Sequence, residues 1–180
     1  MDTCLFIYGF SINRWTLYNL IHYFENMIRN INYKGHVSHD DLVKFSFTKD
    51  KPPYQIVLSI DNVGKLLLFP SGKCRLMGLK RPFSVNMRLP LRIHDIEIQS
   101  ITLTYNFGSR INLLKVSQIM PCTDHMYEPE LFPALRLTKY NPICVNVFAT
   151  GKVVILGVKS LAYQSLLNSI ARDLWVYKAE

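Results

Sequence analysis

Residues 66–80 read LLLFPSGKCRLMGLK, and residues 145–159 read VNVFATGKVVILGVK. At a constant spacing of 79, Phe69 falls on Phe148, Gly72 on Gly151, Lys73 on Lys152, Gly78 on Gly157 and Lys80 on Lys159. Self-similarity at a fixed spacing constrains a chain more than any single motif, because each copy must bury its apolar face in the same way. Both segments are an apolar run, an x-[Ser/Thr]-Gly-Lys turn and a second apolar run closed by Gly. That pattern predicts two β-hairpins, with Gly supplying the unusual backbone angles of the turn. Two copies in a chain of 180 residues predict an internal pseudo-twofold.

The remaining segments group around these hairpins. Cys4–Ile12 and Ile96–Tyr105 are rich in β-branched and aromatic residues and read as the leading strand of each half. After the first, Leu17, Leu20, Ile21, Phe24 and Ile28 recur at helical spacing behind an Asn13 cap. After the second, Ile111–Ile119 reads as a shorter helix. Tyr163, Leu166, Leu167, Ile170 and Leu174 predict a closing helix capped by Ser160. The fold class expected is α+β, one antiparallel sheet backed by helices, in two units, 1–95 and 96–180. The first unit is longer: an insertion is placed around Glu25–Pro53, and Pro82 and Pro90 leave its second helix short or absent.

Composition narrows the function. Half the residues are hydrophobic (49%), enough for a core, and no apolar run reaches the roughly 18–20 residues of a membrane helix. The N-terminus, MDTCLFIYGF, lacks a basic segment and a cleavage site, so no secretory signal is read. Net charge is +8, of which residues 1–90 carry +6. A basic balance suits a polyanion partner. Cys4, Cys74, Cys122 and Cys144 form no CxxC pair and are expected as free thiols in a reducing, intracellular compartment. His36, His39, Asp40 and Asp41 read as a solvated polar loop, since no second ligand pair has matching spacing. No nucleophile elbow, phosphate loop or ligand cluster supports an enzyme, a cofactor or a metal.

One motif is more specific. Residues 127–133 read YEPELFP and precede GKVVILGVK at 151–159. Together with IEIQS (96–100) and the ending LAYQSLLNSIARDLWVYK, this closely resembles the second repeat of the TATA-box-binding protein (TBP) core. The likeness is strong over 96–178 and weaker over 4–80, where FPSGK carries it. The resemblance implies a saddle: a curved antiparallel sheet with helices on the convex face, whose concave face binds the minor groove of DNA. In the family, two pairs of Phe wedge into base steps and kink the duplex, trading unstacking for a larger contact. Lys and Arg at the saddle edges contact phosphates.

Carried over by position, the wedges are Phe132 and Phe148 in the second repeat and Phe69 in the first, where the partner position falls on Pro52 or Pro53. The family's Asn in each first strand is matched to Leu5 and Ser100, and its paired Thr to Met77 and Leu156. The resemblance makes Ile7, Thr102 and Val154 groove-facing; Arg75 stands where the family has Val, and Asn146, where it has Leu, is expected to replace one base contact. These replacements imply an apolar saddle centre with little hydrogen bonding to A·T acceptors, and Arg75 implies a narrow, electronegative groove. Lys73, Lys80, Lys152 and Lys159 are the expected phosphate contacts. Glu128, Glu130 and Leu131 match the family's acidic loop, the contact for transcription factor IIB (TFIIB) or its archaeal and viral counterparts.

The expectation is therefore a non-enzymatic initiation factor in the nucleus or a viral transcription compartment. Its partners would be double-stranded A/T-rich promoter DNA read with low specificity, a TFIIB-like factor, the RNA polymerase machinery and a further protein subunit, but no membrane. The alternative is a TBP-fold subunit that binds proteins and has weak or no DNA binding of its own. The divergence and the abundance of Ile, Asn and Tyr are compatible with a gene of a large DNA virus.

Overall fold

The computed structural model describes residues 5–7, 10–12, 27–44, 54–61, 63–84 and 89–177. Their strands are β1 (Leu5–Ile7), β2 (Phe10–Ile12), β3 (Ile28–Val37), β4 (Ile56–Ile60), β5 (Gly64–Leu68), β6 (Lys73–Leu79), β7 (Ile93–Asn106), β8 (His125–Met126), β9 (Ala134–Leu137), β10 (Cys144–Phe148) and β11 (Lys152–Val158). The helices are α1 (His39–Val43), α2 (Leu113–Ile119) and α3 (Gln164–Trp175). Strands β3 to β11 form one antiparallel sheet in the order β4-β5-β6-β3-β7-β11-β10-β9-β8.

Side-chain alternation explains why this sheet has one covered and one open face. Ile31, Tyr33 and Val37 on β3 are buried, as are Leu66 and Leu68 on β5, Cys74 and Leu76 on β6, and Ile101 and Leu103 on β7. Val145 and Val147 on β10 and Val153 and Ile155 on β11 join the same core. On that face α2 contributes Leu113 and Val116, and α3 contributes Leu167, Ile170 and Leu174. Burying each such side chain is worth about 1.5–3 kcal/mol. Asn112 caps α2 by accepting from Lys115 N at 3.0 Å. The closing helix begins at Gln164 rather than after Ser160, because Ser160 Oγ instead accepts from Ala162 N at 3.1 Å in a local turn.

The main correction concerns the leading strand of the first half. Of the span expected as that strand, Leu5–Ile7 and Phe10–Ile12 do not enter the main sheet: β1 pairs with β2 in a separate two-stranded sheet. The central place beside β7 is taken by β3, inside the segment read as a polar insertion. Its sequence, IRNINYKGHV, alternates polar Asn30, Asn32, Lys34 and His36 with Ile31, Tyr33, Gly35 and Val37, which suits a strand with one covered face. His39 and Asp40 open the short helix α1, capped by Ser38, instead of lying in a loop. The helix expected over 13–28 lies outside the described residues except at Met27 and Ile28, and Ile28 is already strand.

The two halves use matching bonds. In β3 and β7 Asn30 pairs with Thr102, Ile31 with Ile101 and Asn32 with Ser100, so Ile31 and Ile101 face each other at the midpoint. In the hairpins Lys65 pairs with Met77 and Leu67 with Arg75, as Cys144 pairs with Leu156 and Asn146 with Val154. Val37 N donates to Gly72 O and Phe107 N to Gly151 O, both at 2.8 Å. Gly72 N donates to Phe69 O at 3.0 Å, and Gly151 N to Phe148 O at 2.9 Å.

Candidate nucleic-acid interface

Because neighbouring positions alternate, the open face is written by every second residue of each strand. At the midpoint stand Asn30 and Asn32 from β3 with Ser100 and Thr102 from β7, all partly exposed. Asn32 Nδ2 donates to Ser100 Oγ at 3.1 Å, and Asn32 Oδ1 is buried without a partner. Asn30 Oδ1 accepts from Gly78 N at 2.9 Å, so its carbonyl is engaged while its amide group is still a donor on this partly exposed side chain. Gly78 (φ +90°) is the irregular point where the β3–β6 register shifts, and Gly157 (φ +85°) marks the same shift between β11 and β7. The register makes Asn30 the counterpart of Ser100, and Asn32 the counterpart of Thr102. Leu5 and Ile7, assigned to those two places from sequence, lie on β1 instead. The centre of the open face is thus polar, contrary to the apolar centre expected.

Aromatic pairs stand at both ends. Phe132, 47% exposed, meets Phe148 edge-on with ring centroids 6.1 Å apart. Tyr54, 83% exposed, meets Phe69 edge-on at 6.3 Å. Edge-to-face geometry is the favoured one for aromatic quadrupoles. Pro53 lies outside the described residues. Tyr54, the next residue, supplies the aromatic partner that the sequence comparison did not find, since an exact count from Phe132 stops one residue short of it.

The hairpins bring in the remaining open-face residues. Met77, Arg75 and Lys73 point from β6, and Leu156, Val154 and Lys152 from β11, with Asn146 on β10. Lys80 and Lys159 follow directly after β6 and β11 and are exposed. Residues missed from sequence are Lys34, His36 and Lys65 in the first half and Arg136 in the second. Arg136 Nε and Nη2 donate to Cys144 Sγ at 3.2 and 3.0 Å, which lays the guanidinium along β10. Lys34 Nζ lies 2.8 Å from Glu97 Oε2 across the β3–β7 pair. That bond and charge hold the Glu97 carboxyl below the usual carboxylate range. Burial pushes the Cys74 thiol, on the covered face, up to about 11.

At the far edge, a tight turn presents the acidic loop. Leu131 N and Phe132 N both donate to Glu128 O, at 3.0 and 2.9 Å, so Glu128, Glu130 and Leu131 stand in solvent beside the Phe132–Phe148 pair. Among the described residues no cluster of three or more His, Cys, Asp or Glu could hold a metal. Nor is any described helix long and apolar enough to cross a membrane.

Known proteins are similar to this chain in sequence and in fold. Residues 95–174 match the family model "Transcription factor TFIID (or TATA-binding protein, TBP)". A TATA-box-binding protein of Methanococcus maripaludis is 31% identical over 124 residues, 58% of this chain and 67% of that protein. The chain belongs to the TATA-box-binding protein family. Another TBP, from Thermoplasma volcanium, is 26% identical over 156 residues, covering 75% of this chain and 83% of its own length. A third, from Methanocaldococcus jannaschii, is 32% identical over 117 residues, 57% of this chain and 62% of that protein. The solved structure of the Methanococcus jannaschii TBP superposes with a TM-score of 0.68 at 23% identity, over 83% of this chain and 98% of that one. The fold is therefore the α+β TBP saddle, and the chain is a TBP-like transcription factor rather than an enzyme.

Proposed function

We propose that this TBP-like protein is an initiation factor that binds promoter DNA in the minor groove with the open face of its sheet, and bends it. The observation that carries the reading is the pair of edge-on aromatic contacts, Phe132–Phe148 and Tyr54–Phe69, at opposite ends of a face whose centre is polar. Aromatic and other apolar side chains inserted at two steps unstack them at a cost of a few kcal/mol and bend the groove onto more protein surface. Between the wedges the partly exposed Asn30, its Oδ1 engaged by Gly78 N, offers amide donors, and A·T pairs present only acceptors in the minor groove. Lys73, Lys80, Lys152, Lys159 and Arg75 supply phosphate contacts, which position the duplex without reading it. The matching hydrogen bonds of the two halves support two copies of one unit, the first built on β3–β6 and the second running from β7 to α3.

The Glu128–Leu131 loop binds a TFIIB-like factor, which brings the polymerase machinery. Leu131, 80% exposed between two carboxylates, is an apolar anchor with acidic flanks and suits a basic partner surface. The second reading, a subunit that binds proteins and little DNA, is favoured by the same exposed Leu131 together with the Lys34–Glu97 pair, which places a negative charge on the open face.

Titration of the purified chain with A/T-rich, G/C-rich and mixed duplexes at two salt concentrations separates the two readings. The first requires binding that weakens with salt in proportion to the phosphates neutralised. Absence of binding at low salt would leave only the second.

A further inference from the structure

The two halves of the open face differ most at one place. In the first half a cavity of about 780 Å³ opens between the Tyr54–Phe69 pair and the Lys34–Glu97 ion pair, with Arg75 and Gln99 on its wall. Both ion-pair side chains are more than half exposed (57% and 64%), so the carboxylate stands on the face rather than beneath it. The matching positions in the second half, 70 and 79 residues on, are Thr104 for Lys34 and Val154 for Arg75, with Leu156 beside Val154. Strands β8 to β11 contain no Asp or Glu.

The minor groove offers one donor, the N2 amino group of guanine; every other polar atom on its floor accepts. That amino group projects into the groove, so a protein face pressed against it needs room and an acceptor. A carboxylate is acceptor-only. We infer that the first half of this face admits a G·C base pair, with the Glu97 carboxylate accepting from guanine N2, while the second half excludes one. The inference rests on the minor-groove reading above. Lys34 keeps the Glu97 charge balanced, so that the carboxylate is not simply repelled by the phosphates. Against an A·T pair the same carboxylate meets only acceptors. In the second half a guanine amino group would be pressed against Val154 and Leu156; of the polar side chains flanking Val154, Asn146 Oδ1 already accepts from Cys144 Sγ at 3.6 Å and Thr104 offers a neutral hydroxyl, so no carboxylate stands there to take the donor.

Three duplexes test this: a palindromic all-A/T site, the same site with one off-centre G·C pair, and the site with one G·C pair on each side of the centre. The saddle can turn to bring a single G·C under its first half, so that duplex should bind no more than about twofold more weakly, the lost orientation being offset in part by the Glu97 bond to guanine N2. The doubly substituted duplex should lose about tenfold or more, the ordinary cost of a mismatched pair. Glu97→Ala should keep or strengthen binding to the all-A/T duplex and raise the cost of the single pair to about tenfold, with Glu97→Gln in between. The inference is overturned if the single pair costs the wild-type protein tenfold, if Glu97→Ala leaves its cost at twofold, or if that variant loses the A/T duplex as well. Wild-type protein that binds none of the three at low salt would overturn the DNA reading itself, and this inference with it.

Discussion

Gly72 and Gly151 close equivalent turns, yet replacing each by Ala should have unequal consequences. Both adopt left-handed backbone, φ +81° and +85°. For a residue with a Cβ that conformation costs about 1–2 kcal/mol. At Gly72 the new Cβ would lie 3.2 Å from Val37 O, tight but relieved by a small shift. At Gly151 it would lie 2.0 Å from Ser109 O, a backbone atom that must move by more than an ångström. Overpacking of that kind adds about 1–3 kcal/mol. The expected totals are about 1–2 kcal/mol for Gly72→Ala and about 2–5 kcal/mol for Gly151→Ala. For a chain of this size each kcal/mol lowers Tm by about 2–4 °C, so the second variant should melt several degrees below the first. Thermal unfolding followed by circular dichroism reads the difference. Equal Tm values, or Gly72→Ala the less stable, would refute the argument that the 108–110 segment crowds the second turn. Because Gly151 N holds Phe148 O, the same variant should also weaken DNA binding, whereas Gly72→Ala at matched stability should affect only the Phe69 end.

Other tests address the site directly. Phe132→Ala with Phe148→Ala should remove the kink at that end and reduce the bend angle, read as end-to-end energy transfer in a labelled duplex, while the salt dependence of the remaining binding stays unchanged; Tyr54→Ala should reduce the bend angle and Tyr54→Phe should not, because the ring rather than the hydroxyl does the wedging. Glu128→Arg with Glu130→Arg should eliminate recruitment of a TFIIB-like factor in a gel-shift assay with DNA binding intact, and full recruitment would refute the loop's role. Cys74, raised to about 11, is a neutral thiol at pH 8 and loses its proton only as pH approaches that value. Iodoacetamide mapping by mass spectrometry should therefore find exposed Cys122 alkylated and Cys74 untouched in the folded protein.

What could be read from the chain divides along physical lines. The hairpins Gly64–Leu79 and Cys144–Val158 were legible because their determinants are local: a turn Gly, flanking apolar runs and a constant spacing. β7 and α3 were legible for the same reason, α3 less its first turn. β3 was not, although its period-two alternation is plain, because Cys4–Ile12 is the more apolar candidate and Gly35 interrupts the pattern. Which of two strand-like segments enters a sheet is settled by cross-strand partners. Here Ile31 against Ile101 decides it, a contact between residues 70 apart. The same error hid Asn30, and with it the polar centre of the face. Tyr54 was missed for a simpler reason: an exact residue count stopped at Pro53.

Charge gives this nearly symmetric frame a direction. A sheet whose halves share their hydrogen bonds could sit on a pseudo-symmetric groove either way round. Only side chains break the tie. On the open face β3, β5 and β6 carry Lys34, Lys65, Lys73 and Arg75, while β9 and β11 carry Arg136 and Lys152. Glu97 offsets Lys34, whereas the Cys144 thiol accepts from Arg136 without removing its charge. The open-face cations without a carboxylate partner are then Lys65, Lys73 and Arg75 against Lys152 and Arg136. Each additional phosphate neutralised steepens the salt dependence by about one counterion, and a preference of about 1.4 kcal/mol for one orientation makes it tenfold favoured. On the proposed minor-groove reading, the excess of basic residues in the first ninety positions should bias which way round the protein sits on DNA, with the basic half at the end of the site where the groove is narrowest and most electronegative.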